Sequence, residues 1–299
     1  MAESMIGNGP TLQNGDHIPR ILYGTARRKQ KAPPDVYTAL QTGYRGIDTA
    51  SSRRFHQEDE DGRAIRRFLD HGTNAGRASR KEIFVQSKFA APPSHDEPLP
   101  YNIGDDIKTR VLKSFVRSAD DLVIDTLDAY FLHTPLSTTG ATVEAWRVLQ
   151  QLVSRGAVRY LGIANVKLPQ LNRLYDQVEV RPTFVQNWFR KTTVYDREVM
   201  AFCKTHNITY QIFGVFDEEN ADLLTCEPVQ RRAQEASLTA HQALLQLLFG
   251  VAAAQGLRLC VLDGTTSPDH MQENLLAVDH LDHLDGQDLV HFCRLIGWD

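Results

Sequence analysis

Three things are scarce in this 299-residue chain, and each scarcity excludes something. Cysteine is the first: Cys203, Cys226, Cys260 and Cys293 are widely spaced and form no C-x-x-C pair. Neither a disulfide framework nor a zinc or other metal site is signalled, and the thiols read as reduced packing groups. Charge imbalance is the second. With 33 Lys and Arg against 37 Asp and Glu, the net charge of -4 gives no electrostatic reason to expect nucleic acid or an anionic membrane surface. A small-molecule partner is expected instead. Long apolar runs are the third: nothing approaches the ~20 residues of a membrane span, and the opening "MAESMIGNGP" lacks the basic and apolar regions of a secretory signal. The expectation is a soluble, cytoplasmic protein. A fourth absence concerns topology, since no G-x-G-x-x-G follows the first apolar run, where a doubly wound dinucleotide fold would need it.

What is present is alternation. Short apolar runs begin at Arg20 ("RILYGT"), Gly46 ("GIDT"), Ile83 ("IFVQSK"), Ala129 ("AYFLH"), Tyr160 ("YLGIAN"), Thr183 ("TFVQN"), Ile208 ("ITYQIFG") and Leu257 ("LRLCVLDG"). Between them lie amphipathic patterns such as "VEAWRVLQQLVSRG", residues 143–156, with helical spacing and a terminal glycine. Continuous apolar strands alternating with helices imply a parallel sheet buried on both faces. Eight repeats in this length imply one closed (β/α)8 barrel in a single domain spanning residues 1–299. Two stretches break the rhythm, a Pro-, Gly- and Asp-rich loop within residues 90–106 and an acidic excursion within residues 215–237. Both follow strands, so both are candidate substrate walls at the C-terminal face of the barrel.

Polar residues sit at the ends of successive strands: Asp48, Lys88, His133, Asn165, Gln186 and Asn187. Singly, each has an ordinary explanation as a cap, a solvated charge or a satisfied core histidine. Together, Asp, Lys and His delivered to one rim form an arrangement too costly to hold for packing alone.

The motifs "LQNGDHIPRILYGTA", "GYRGIDTA", "EIFVQSK", "LDAYFLHTP", "GAVRYLGIAN" and "FVQN" resemble, in order, those of the aldo-keto reductase superfamily. That resemblance implies a (β/α)8 barrel, usually monomeric, that reduces carbonyls with NADPH through a tetrad of Asp, Tyr, Lys and His. It assigns Asp48, Lys88 and His133 to three of the four positions, and Asn165 and Gln186 to the nicotinamide carboxamide. Phe213 falls where an aromatic ring stacks on the nicotinamide, Gly24 and Thr25 fall beside the cofactor, and Glu273 and Asn274 match adenine contacts.

The tyrosine has no counterpart. The family spells D-T-A-x-x-Y-x-N-E-x-x-V-G-x-A-I, whereas "DTASSRRFHQEDEDGRAI" is two residues longer. Counting forward from Asp48 puts Arg53 at the tyrosine position, and counting backward from Gln57, Glu58 and Gly62 puts Phe55 there. Phenylalanine has no proton to give, and arginine stays protonated, so neither replaces a general acid. Loss of a positioned acid typically lowers the rate by about 10²- to 10⁴-fold. The family's 2'-phosphate clamp has gone as well: Gly264 and Thr265 stand for Lys and Ser, His270 stands for Arg, and Asp263 adds a carboxylate. Weakened NADPH binding is therefore expected, with NADH competing well or no nicotinamide bound at all.

Three functions remain open on the sequence. One is an NAD(P)-dependent oxidoreductase with an altered tetrad. Another is a non-redox isomerase, dehydratase or cyclase using His133, Lys88 and an arginine. The third is a non-catalytic binding barrel. Ala26, where relatives often carry Trp, together with Trp188 and Phe189, suggests a bulky, partly aromatic substrate and a tailoring role in small-molecule biosynthesis.

Overall fold

A computed structural model describes residues 9–12, 14–26, 35–71, 79–91, 99–281 and 284–299. Residues 1–8 of the opening segment discussed above and residues 92–98 of the first candidate wall lie outside this set. The strands are β1 (Ile21–Gly24), β2 (Gly46–Asp48), β3 (Phe84–Phe89), β4 (Leu127–Leu132), β5 (Val158–Ala164), β6 (Phe184–Trp188), β7 (Thr209–Phe213) and β8 (Leu259–Asp263). They pair in parallel in sequence order and close through β8 onto β1. All eight predicted runs are strands, and the chain is the single (β/α)8 barrel expected.

The helices are α1 (Val36–Thr42), α2 (Glu58–His71), α3 (Ile107–Leu122), α4 (Thr139–Ser154), α5 (Leu168–Gln177), α6 (Arg197–Thr205), α7 (Ala221–Thr225), α8 (Glu227–Ala236), α9 (Ala240–Gln255), α10 (Pro268–Asp279) and α11 (Gly286–Ile296). Their starts are set locally. Asp35, Asp106, Thr138 and Thr239 each accept a hydrogen bond from a first-turn backbone N–H, satisfying donors that the helix itself leaves unpaired. Helix α9 is enclosed on nearly all sides because α8 and α11 cover its outer face. No single described helix is long and apolar enough to cross a membrane.

The acidic stretch expected as an excursion after β7 is partly helical, forming α7 and α8. Leu223, Pro228 and Val229 are its buried anchors, apolar positions that the surrounding charge obscures in the sequence.

Two cores result. One lies between the barrel and its helices; the other fills the lower barrel with Leu22, Phe84, Ala129, Phe131, Phe184 and Cys260. A Cβ at position 162 would come within 2.3 Å of the Phe131 ring, so only glycine lets that ring lie against β5. Leu12 and Ile18, flanking a Thr11–His17 bridge, join this inner core and close its N-terminal mouth. Polar chemistry is thereby confined to the other end. All four cysteines are free thiols, with Cys203 and Cys260 buried.

Candidate active site

Above the aromatic layer the barrel interior turns polar. Gln86, Gln186 and Gln211 are buried and interlocked: Gln86 Nε2 and Gln186 Nε2 each donate to Gln211 Oε1 at 2.9 Å, and Gln211 Nε2 donates to Gln86 Oε1 at 3.0 Å. Alternation along a strand brings these residues inward at one level. Their amides also reach upward, Gln86 Nε2 at 2.5 Å and Gln186 Nε2 at 3.0 Å from Asp48 Oδ1. The same oxygen accepts a hydrogen bond from Lys88 Nζ at 2.6 Å, and Lys88 Nζ also donates to the Thr49 carbonyl at 2.9 Å. Both charged side chains are almost completely shielded, 2% exposed for Lys88 and 4% for Asp48. Burial of such a pair brings little net stability, so its retention points to chemistry.

His133 follows β4. Its backbone N–H donates to the Phe89 carbonyl at 3.0 Å and its ring stands at the cavity wall. Burial, reinforced by the Lys88 cation and only partly offset by Asp48, pushes its pKa down to about 4. The imidazole is therefore neutral at physiological pH. Asn165, after β5, adopts φ 53° and donates from Nδ2 to the His133 carbonyl at 2.9 Å, locking the two strand ends together. Asparagine is one of the few residues that tolerates this left-handed backbone. Asn187 instead braces the loop behind, pairing with the Val166 backbone and Asp196.

The tyrosine gap resolves differently from either way of counting. The two extra residues fold into a turn over 52–56, with Phe55 N and His56 N both donating to the Ser52 carbonyl. This turn sends Arg53 outward, where it pairs with Asp121 of α3 at 3.4 Å, so Arg53 is not an active-site residue. Phe55 stays at the cavity rim, 39% exposed, with the Arg54 guanidinium over its ring. The side chain that enters is His56, which neither count selects: it is buried, lines the cavity and meets the His133 ring edge-on at 6.2 Å. Spacing alone could not reveal which member of a five-residue turn faces inward.

These groups form one end of a cavity of about 700 Å³ at the C-terminal mouth, extending to Thr265, His270, Glu273 and Asn274. Its size is that of a ligand site. Gly24 lines it, and a Cβ built there would meet nothing closer than 3.6 Å, leaving an open cradle against β1. Thr25 does not line it; its hydroxyl is committed behind the wall, to Thr49 and His56. Phe213 lines the cavity and stacks on Trp188 at 6.0 Å, while Phe216, from the other expected segment, extends an aromatic wall with His241 of α9. Residues 99–106 contribute no lining group to it.

At the far end Asp263 is buried and fully engaged, accepting from Tyr44, from Asn274 Nδ2 at 3.0 Å and from Thr265 N at 3.0 Å. Asn274 thus lies in the cavity wall with its amide held by a neighbour. Among the described lining residues Lys88 is the one lysine or arginine, and it is paired with Asp48. The geometry fits a nicotinamide and an open channel for its nucleotide; among the described lining residues no unpaired lysine or arginine stands at its far end.

Comparison with known proteins agrees with this geometry. Methylglyoxal reductase DkgA of Yersinia pestis is 24% identical over 269 residues, 90% of this chain and 86% of that protein. Morphine 6-dehydrogenase of Pseudomonas putida is 29% identical over 194 residues, 61% of this chain and 58% of that protein. Among solved structures, an aldo-keto reductase from a Medee basin deep-sea metagenome superimposes with TM-score 0.76 at 24% identity, covering 96% of this chain and 94% of its own. An aldo-keto reductase of Bombyx mori in complex with NADP gives 0.75 at 21% identity, covering 96% and 92%. The aldo/keto reductase family model matches residues 20–288, and the chain belongs to that family.

Proposed function

We propose that the protein interconverts the carbonyl and alcohol forms of a neutral, aromatic small molecule, using a nicotinamide dinucleotide and accepting NADH at least as well as NADPH. The observation that carries this reading is the buried Asp48–Lys88 pair beneath a neutral His133, at the floor of a cavity long enough to take a nucleotide. Such a pair has no use in an inert barrel. When bound, the nicotinamide supplies or accepts hydride; the residues of this chain do the rest. Both protons of the Gln186 amide are spent on Asp48 and Gln211, so its Oε1 is the atom left to accept from a carboxamide, with Asn165 beside it. The Phe213 ring offers a flat apolar face. Neutral His133 donates a hydrogen bond to the substrate oxygen, and the Lys88 charge stabilises negative charge building there.

The wall supports a reading of the substrate class. Phe55, Trp188 and Phe216 present aromatic surface, Ala26 leaves room, and among the described residues no unpaired lysine or arginine lines the cavity to receive an anion. An aromatic aldehyde or ketone without a carboxylate or phosphate fits this chemistry. A tailoring step in small-molecule biosynthesis is the role we assign to it.

Calorimetric titration of the purified protein with each nucleotide tests the reading. The expected result is binding of NADH no weaker than that of NADPH, because the 2'-phosphate meets Thr265 and His270 rather than two fixed cations. Absence of binding by both at millimolar concentration would overturn it.

A further inference from the structure

The cavity holds a second imidazole that the mechanism above does not use. His56 is 4% exposed, and behind it runs a line of two buried hydroxyls and a carboxyl from three different segments. Its Nδ1 lies 3.1 Å from Thr25 Oγ1, after β1; Thr25 Oγ1 is 3.0 Å from Thr49 Oγ1, after β2; Thr49 Oγ1 is 2.8 Å from Asp61 Oδ2, in the first turn of α2. All four residues are buried.

The direction of this line can be worked out by counting protons. A carboxylate only accepts, so the single proton of Thr49 goes to Asp61. Thr49 can then only accept from its other neighbour, so the single proton of Thr25 goes to Thr49. Thr25 in turn accepts, and the proton between Thr25 and the imidazole belongs to His56 Nδ1. The chain fixes the Nδ1–H tautomer, the less common one, and makes Nε2 the basic nitrogen of the ring. A buried polar chain of this length is unfavourable unless every member is satisfied, and here each bond is supplied by the next residue.

We propose that His56, oriented by Thr25, Thr49 and Asp61, transfers the proton to and from the substrate oxygen in place of the absent tyrosine. This inference rests on the redox reading. In the reducing direction hydride adds to the carbonyl carbon, the C=O π pair moves to oxygen, and oxygen takes the Nε2 proton of the His56 imidazolium. The products are the alcohol, oxidised nicotinamide and a neutral His56 that keeps its Nδ1–H on Thr25. In the oxidising direction the neutral Nε2 takes the hydroxyl proton.

The charges around the ring divide labour between the two imidazoles. Across the cavity His56 faces His133 from β4, Lys88 from β3 and Asp48 from β2; on the α2 and α3 side it borders a small cleft with Arg53, Glu58, Arg117 and Asp121. Asp61 acts through the hydroxyls. The N-terminus of α2 disfavours a cation, but Asp59, Glu60 and Asp61 in its first turn oppose that field. His133, by contrast, is held neutral by burial and by Lys88. With His133 held neutral, the proposal gives the acid role to His56.

Thr25, Thr49 and Asp61 are positioning residues, and the test separates them from a packing role. In nucleotide-free protein carrying ¹⁵N-labelled histidine, neutral His56 is expected with its proton on Nδ1, and Thr49→Val is expected to move it to Nε2. In steady-state reduction of an aromatic aldehyde, His56→Phe is expected to lower kcat about 10²- to 10⁴-fold. It should leave the nucleotide Kd unchanged and abolish the fall in kcat/KM as pH rises through the His56 titration. Thr49→Val is expected to shift that limb while KM stays within about two-fold. An Nε2–H tautomer in the wild type, or a His56→Phe variant with wild-type rate and pH profile, would overturn the proposal and leave the redox reading standing. Failure of the redox reading itself is registered separately, by wild-type protein that binds neither nucleotide, and removes the donor role with it.

Discussion

At the scale of single residues, the site rests on desolvation reinforced by a neighbouring charge. His133 is driven down to about 4 first by burial and second by Lys88, so the two contributions can be separated by removing the cation. Lys88→Met is expected to raise the His133 pKa, yet leave it below the ordinary 6.5 because burial remains; an NMR titration of the imidazole checks this. A pKa that stays near 4 would mean that Lys88 is electrostatically silent. Asp48, Lys88 and His133 were legible in the sequence because each ends a strand, and strand ends of a parallel barrel converge whatever the intervening helices do. The proposed proton donor was not. Two inserted residues defeat any count across the gap, and they expel Arg53 while admitting His56. Thr25 shows the opposite failure: its sequence position suggests a cofactor contact, but its hydroxyl is turned to the wall by partners distant in sequence.

At the scale of elements, α2 carries a buried carboxyl that the site does not use. Glu58 accepts from Ser87 of β3 and from Ser118 of α3 at 2.9 Å, and burial pushes its pKa up to about 7, against the lowering effect of both hydroxyls. The folded state therefore holds a proton that the unfolded chain, with its carboxyl near 4.5, releases. Stability from this group is complete below about pH 4.5 and is lost as pH rises through about 7, a loss on the order of 3 kcal/mol. Urea unfolding from pH 5 to 8 is expected to show that decline, and Glu58→Gln, which keeps the hydrogen bonds without a titration, is expected to flatten it. An unchanged slope in the variant would place the effect elsewhere. The spacing of apolar residues reveals α2 as a helix, but not that Glu58 faces the barrel, since an acidic first turn reads equally as solvated. Gly62 is similar: a Cβ there would fall 2.3 Å from the Asp121 carbonyl, a helix–helix contact that no local pattern announces. In the segment after β7, charge masked the buried anchors of α7 and α8.

At the scale of the whole molecule, one end of the barrel is sealed by Leu12, Ile18 and stacked aromatic rings, and the other opens above a glutamine layer onto the Asp48–Lys88 pair. The architecture was fully legible, because eight apolar runs with helical spacers admit few other arrangements in 299 residues. The glutamine layer was not, since Gln86 and Gln211 sit inside apolar strands where a sequence gives no sign of which face meets the axis. On the proposed function, this arrangement is a site that delivers hydride to one carbon and a proton to its oxygen. The most direct test is to incubate the protein with an aromatic aldehyde and NADH deuterated at the transferable ring position, and to analyse the product by mass spectrometry. The account predicts an alcohol carrying one deuterium, with the yield falling sharply in Lys88→Met. Contradiction would be the absence of labelled alcohol at saturating nucleotide, or equal yields from the wild type and the variant.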